Sequence, residues 1–194
     1  MTRTVTGLRA RPGDRVDVEL DGSPWRTLPA RAVARAGVRV GRRLDRDTAR
    51  RLARELRSTR ALVRATRALA AHDRSRFELE TRLAGAGLPE AARADALAVL
   101  ESAGLVDDGR FAVTRAGALA CRGYGDAAIR ADLERRRVPA SAVEEALGAL
   151  EPERERARGL LGCEPATPAL FRRLAARGFD RDVLAELASF AREA

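Results

Sequence analysis

The chain has 194 residues, 45% of them apolar but only 4% aromatic, and its 37 basic residues, all Arg, outnumber 28 acidic ones for a net charge of +9. Such a composition builds several small Leu/Val/Ala cores between closely packed helices, and two cysteines (Cys121, Cys163) with one histidine (His72) argue against a disulfide framework or a histidine-built metal centre. The charge is unevenly placed: residues 1–70 hold 18 Arg against 7 acidic residues, while 71–194 hold 19 against 21, so the whole excess lies at the N-terminal end and suits an anionic partner.

The start of the chain, Met1-Thr2-Arg3-Thr4-Val5, lacks the apolar core of a signal peptide, and no apolar run reaches the roughly 18–20 residues that span a bilayer. A soluble, cytoplasmic protein with no membrane partner is expected. The absence of Lys reads as compositional bias rather than as a functional signal.

Val16, Val18 and Leu20 alternate with Asp17 and Glu19, the period of a half-buried strand, and Asp21-Gly22 supplies a hairpin turn. Trp25, Thr27 and Leu28 return as the second strand, with Thr4–Leu8 as a third and Pro24 restricted to an edge or a strand start. A short helix follows from Ala30 to Ala36, stopped by Gly37. Asp47 is then the expected N-cap of a long helix from Thr48 to Ala71. At 100° per residue, Leu52, Leu56, Leu62, Val63 and Leu69 share one broad side, and Arg50, Arg54, Arg57, Arg60, Arg64 and Arg67 fall opposite. Each half is amphipathic on its own, which leaves open a break near Arg57-Ser58-Thr59.

From there a block recurs three times: Leu79-x-x-Arg82-Leu83 with Leu88, Ile129-x-x-Asp132-Leu133 with Val138, and Leu170-x-x-Arg173-Leu174 with Phe179. A spacing of four keeps two side chains on one helix face, and five across a turn begins a returning helix. The expectation is a mainly α fold of tandem three-helix repeats, an elongated array behind a small N-terminal β-hairpin cap. Its segments are 1–46 (cap and short helix), 47–106 (basic helix and repeat 1), 107–150 (repeat 2) and 151–194 (repeat 3). Repeat 1 joins the end of the long helix to helices from Ser75 to Ala86 and from Pro89 to Ala103, with Ser75 and Glu78 as a capping box. Repeat 2 has helices at Asp108–Cys121, Asp126–Arg136 and Ala140–Leu150, and repeat 3 at Pro152–Leu161, Pro168–Ala176 and Asp180–Ala191. Gly87, Gly104, Gly123, Gly125, Gly162 and Gly178 mark the breaks.

Little in the chain suits catalysis. His72 lies at a helix end, Asp107-Asp108 at a helix start where carboxylates cap free N–H groups, and Gly123-Tyr124-Gly125 lacks the Lys-Ser/Thr of a phosphate loop. No catalytic residue, metal or cofactor is expected.

The run Gly104-Leu105-Val106-Asp107-Asp108-Gly109-Arg110-Phe111-Ala112, preceded by Arg74-Ser75-x-x-Glu78-Leu79, leads on to Arg122-Gly123-Tyr124-Gly125, Ile129-Arg130, Leu133 and Arg177-Gly178-Phe179. In this order and spacing the motifs resemble the RecX family of bacterial recombinase regulators over nearly the whole chain. Asp126-Ala127 stands where that family tends to have Pro and a basic residue, and Arg136-Arg137 where it has Arg/Lys-Gly. The resemblance implies a non-enzymatic protein, expected as a monomer, that binds RecA recombinase filaments on single-stranded DNA and limits their growth, ATP hydrolysis and strand exchange. It meets the DNA directly or through the filament. The candidate contact surfaces are the arginine face of the long helix and a second patch of Arg122, Arg130, Arg135, Arg136 and Arg137, with Tyr124 as a stacking residue.

A rival reading takes Leu105–Gly117 as the wing of a winged-helix transcriptional regulator with its recognition helix at Pro89–Ala103. That helix carries Arg93 against Glu90, Asp95 and Glu101, a poor match to a phosphate backbone.

Overall fold

The structure, a computed structural model, describes residues 3–163 and 167–193, without the side chains of 162–163 and 190–193. The side chain of Cys163 therefore lies outside the described residues. The chain divides into two compact units, one ending at His72 and resuming with Leu79–Leu105, the other made of Asp73–Glu78 and the residues from Val106 onward.

The first unit opens with strands β1 (Arg3–Arg11), β2 (Arg15–Leu20) and β3 (Ser23–Pro29), followed by helix α1 (Ala30–Arg35) and a two-residue strand β4 (Arg43–Leu44). They form one antiparallel sheet in the order β3-β2-β1-β4. Asp21 and Gly22 both take positive φ (51° and 80°), the geometry whose twist matches a two-residue hairpin. Pro24 sits on the edge strand at a register shift opposite Glu19, where no ladder bond is needed from it. Alternation delivers Val5, Val18, Leu20 and Leu28 to one face, which closes with Val33, Ala36, Val38 and Leu52 into a core.

Helix α2 (Arg46–Ala71) is continuous through Arg57-Ser58-Thr59. Its N-cap is Asp45, which accepts a hydrogen bond from the Thr48 amide at 2.7 Å; Asp47 stands in the first turn instead. The two carboxylates are two residues apart, and only Asp45 keeps an extended backbone and the three-residue reach to a free N–H. The packed face also differs from the Leu/Val stripe. Leu52 is buried toward the sheet, whereas further along Ala61, Ala65 and Ala68 are the buried residues and Val63 is 45% exposed. Residues 52 and 61 differ by half a turn of the wheel, so α2 changes its buried face midway. Ala replaces Leu in the second half because α2 lies close against α4 (Glu90–Ser102), which offers Ala92, Ala96, Leu97 and Leu100. The first unit is completed by the body of α3 (Arg76–Gly85), with Leu79 and Leu83 buried.

The second unit contains α5 (Asp108–Cys121), α6 (Asp126–Arg135) and α7 (Ala140–Gly148), then α8 (Glu153–Cys163), α9 (Pro168–Ala176) and α10 (Arg181–Glu193). Phe111, Ala112, Ala116, Ile129, Leu133, Val138 and Val143 form one core; Ala157, Leu170, Leu174, Phe179, Leu184 and Leu187 form another. Gly162 does not break a helix, since α8 runs to Cys163. Residues 108–117 are the first turns of α5 rather than a β-wing, which removes the main structural basis of the winged-helix reading.

The recurring block is legible in the fold. All nine of its apolar residues are buried, none more than 6% exposed. Each copy ends in the same turn, with the amides of Leu88, Val138 and Phe179 donating to the carbonyls of Leu83, Leu133 and Leu174 at 3.2–3.3 Å. That closure needs a positive φ one residue earlier, supplied by Gly87 (71°), Arg137 (52°) and Gly178 (86°). Ser75 and Glu78 exchange the two 3.2 Å bonds of a capping box. Among the described residues, no helix is long and apolar enough to cross a membrane.

Candidate partner-binding surface

Helix α2 carries eight Arg and two acidic residues along its 26 positions. Arg50, Arg54, Arg57, Arg60, Arg64 and Arg67 are all exposed. Two are drawn into pairs, Arg50 with Asp47 at 3.4 Å and Arg54 with Asp95 at 3.7 Å; Asp95 also accepts a hydrogen bond from Ser58 at 2.9 Å. Among the described residues, Arg57, Arg60, Arg64 and Arg67 have no carboxylate partner, so their charge is open to an external anion.

The second patch is built differently. Arg136 donates to Asp132 at 3.1 Å and to Glu78 at 2.9 Å, while its carbonyl accepts from the Ser75 hydroxyl at 2.9 Å. Asp132 also takes a two-bond fork from Arg115 at 2.9 and 3.2 Å and a longer contact from Arg135 at 3.4 Å. Burial opposes ionisation of Asp132, but the hydrogen bond from Arg115 and the charges of Arg136, Arg115 and Arg135 prevail, holding its carboxyl below the usual value. Arg130 is engaged by Glu144, and the Arg130 hydrogen bond is the chief cause that lowers the Glu144 carboxyl. Arg130 and Arg136 are thus tied within the fold, and Arg135 only loosely. Tyr124 is half-buried against the core of repeat 2, with the Arg122 guanidinium 5.6 Å from its ring centroid. That leaves Arg122 and Arg137 as exposed members without a carboxylate partner among the described residues.

Arg137 holds a left-handed backbone position that repeats 1 and 3 assign to glycine. Its guanidinium lies 4.5 Å from the centroid of the Phe77 ring. The strain of positive φ on a residue with Cβ is of order 1 kcal/mol, and the ring contact returns about as much. Arg137→Ala should therefore lower stability by about 0.5–1 kcal/mol in urea unfolding, and Arg137→Gly should not. Equal losses in both variants would show that the positive φ holds no strain for glycine to relieve.

The expected capping roles are filled. Asp107 caps α5, accepting from the Arg110 amide at 3.0 Å, and that backbone bond is the main reason its carboxyl is held below the ordinary range. Asp108 accepts from the Arg76 amide at 2.7 Å. His72 is the C-cap of α2.

One arrangement has no clear forerunner in the sequence. Gly125 and Gly178 meet backbone to backbone, and the amides of Gly125 and Ala127 donate to the carbonyls of Arg177 and Gly178 at 2.9 and 3.1 Å. Glu153 spans the same junction, accepting from the amides of Asp126 and Asp180 at 2.6 and 3.1 Å. Arg156 donates to the Tyr124 carbonyl at 2.9 Å and pairs with Asp126. Asp126 therefore has an evident local job. The only hint in sequence is the pair of glycines at matching turns.

Residues 107–147, which are α5 to α7, match the family model described as RecX, second three-helix domain. A crystal structure described as the regulatory protein RecX superposes with a TM-score of 0.78 at 19% identity, over 93% of this chain and 96% of that one. RecX from Lactobacillus salivarius gives a TM-score of 0.60 at 16% identity, over 71% of this chain and 98% of that one. Helices α5–α7 are thus similar to the RecX second domain, and the chain shares the fold of the solved RecX structures. No curated protein is matched by the sequence. The segment matched to the RecX second domain holds Asp132, its arginines and the turn at Arg137. The small N-terminal sheet with the helical repeats is the fold shared with the solved RecX structures.

Proposed function

We propose that this protein binds RecA recombinase filaments on single-stranded DNA and limits their growth, ATP hydrolysis and strand exchange. The observation that carries the reading is the match of α5–α7 to the RecX second domain, supported by the RecX-like fold of the wider chain. The exposed arginines of α2 are the proposed contact surface, because four of them lack an internal counter-charge and an anionic partner would supply it. Arg122 and Arg137 are a secondary contact, and Arg130 and Arg136 serve mainly to hold the second unit together. A ligand that bridges neighbouring protomers shifts filament turnover only through unequal affinity for growing and shrinking states, so no chemistry of its own is required. The protein acts as a monomer in the cytoplasm in this reading.

The test is DNA-dependent ATP hydrolysis by the cognate recombinase, titrated with this protein. Hydrolysis should fall as the protein approaches one copy per few protomers; no change together with no filament association would reject the reading. Reversing Arg54, Arg57 and Arg64 to Glu should weaken binding to filaments or bare single strands. The slope of log affinity against log salt should then drop by about 2, at ~0.7 per neutralised phosphate. An unchanged slope would take this face out of the contact.

A further inference from the structure

Val63 is an aliphatic side chain left 45% exposed on a helix whose neighbouring small residues are buried. It lines a shallow cleft with Pro29, Leu56, Thr59, Arg60, Arg64 and Arg67. The lining includes no carboxylate and no aromatic ring. Arg60 and Arg67 flank Val63 about 10 Å apart along the axis, at 1.5 Å per residue. The cleft thus offers positive charge on either side of a wet apolar centre.

A single nucleic acid strand would satisfy the arginines but leave Val63 in water, and its bases would find no ring to stack on. A protein segment can meet both demands. In an extended chain, residues two positions either side of a central residue share its face and stand about 13 Å apart, within reach of long arginine side chains. We infer that this cleft seats an extended acidic protein segment, with an aliphatic side chain on Val63 and flanking carboxylates on Arg60, Arg64 and Arg67. The inference rests on the reading of this arginine face as the contact surface and adds that its Val63 cleft takes a protein segment of the partner.

The probe is a fluorescein-labelled peptide repeating Glu-Ser-Leu-Ser-Glu, measured by anisotropy with the full chain beside a labelled oligo(dT). Val63→Asp should weaken peptide binding more than tenfold and leave the oligo(dT) affinity within twofold. Replacing the peptide's Leu by Ser should weaken it by a similar factor. The inference is overturned if wild-type protein does not bind the peptide, if Val63→Asp binds it equally well, or if both probes weaken in parallel. Recombinase hydrolysis measured with the same proteins separates the two claims. Slowed hydrolysis without peptide binding leaves the filament reading standing and this one rejected. Val63-dependent peptide binding with neither an effect on hydrolysis nor any filament association does the reverse.

Discussion

Gly125→Ala will destabilise the second unit by about 3 kcal/mol, because the new methyl has nowhere to go. A Cβ there would lie 2.3 Å from both the Gly178 carbonyl oxygen and the Phe179 amide nitrogen, and these are backbone atoms that cannot swing aside. Relieving the overlap separates α6 from the turn after α9, stretches the two backbone bonds to Arg177 and Gly178, and pulls Asp126 from Glu153. Gly178→Ala should behave alike, since its Cβ would meet the Ala128 amide at 2.5 Å and its φ is +86°. Gly117 is the control: it lies inside α5, and a methyl added there would have nothing within 4 Å, so Ala should stabilise by about 0.5–1 kcal/mol. Urea unfolding followed by circular dichroism reads all three. A Gly125→Ala midpoint indistinguishable from wild type would mean that the two repeats do not depend on this junction.

Loss of the Asp132 carboxylate should be nearly as costly. Asp132→Ala leaves Arg115 without its fork and Arg136 with only Glu78, and breaking a partly buried, charge-assisted network of this kind costs about 2 kcal/mol. The pH dependence follows from the direction of the shift. The folded-state carboxyl is held below its unfolded value, so its stabilisation is fully present above the ordinary carboxylate range, near pH 4, and fades as pH falls toward the folded value. Wild-type protein should therefore lose stability across that acid window more steeply than Asp132→Asn. Parallel acid limbs for the two proteins would show that the network contributes no linkage.

The repeats are readable because their information is local. Leu79, Leu83 and Leu88, with their counterparts in the later copies, report a helix face and a turn through spacing alone, and all are buried as expected. Caps are readable for the same reason: Ser75 with Glu78 and Asp107 before α5 act on amides two or three residues away. Asp45 escapes such reading because Asp47 is an equally good cap in composition, and the choice depends on where the backbone leaves the extended region. The packed side of α2 is misread from hydropathy because Ala carries little of it, yet close approach to α4 makes Ala61, Ala65 and Ala68 the contact. Among the candidate arginines, Arg136 has one local pointer, Asp132 four residues before it. Its second partner, Glu78, and the seat of Arg137 over Phe77 both depend on residues distant in the chain.

The change of buried face along α2 makes the helix behave as a shaft with two keyways cut half a turn apart. Leu52 engages the sheet at one end, and Ala61, Ala65 and Ala68 engage α4 at the other. An inserted or deleted residue between Leu56 and Ala61 would rotate one keyway by about 100° against the other, and no local adjustment restores both fits. The length of that stretch is therefore a fixed dimension of the molecule. The same rule sets which way Arg60, Arg64 and Arg67 face, since they stand on the shaft just beyond the point where its phase is locked.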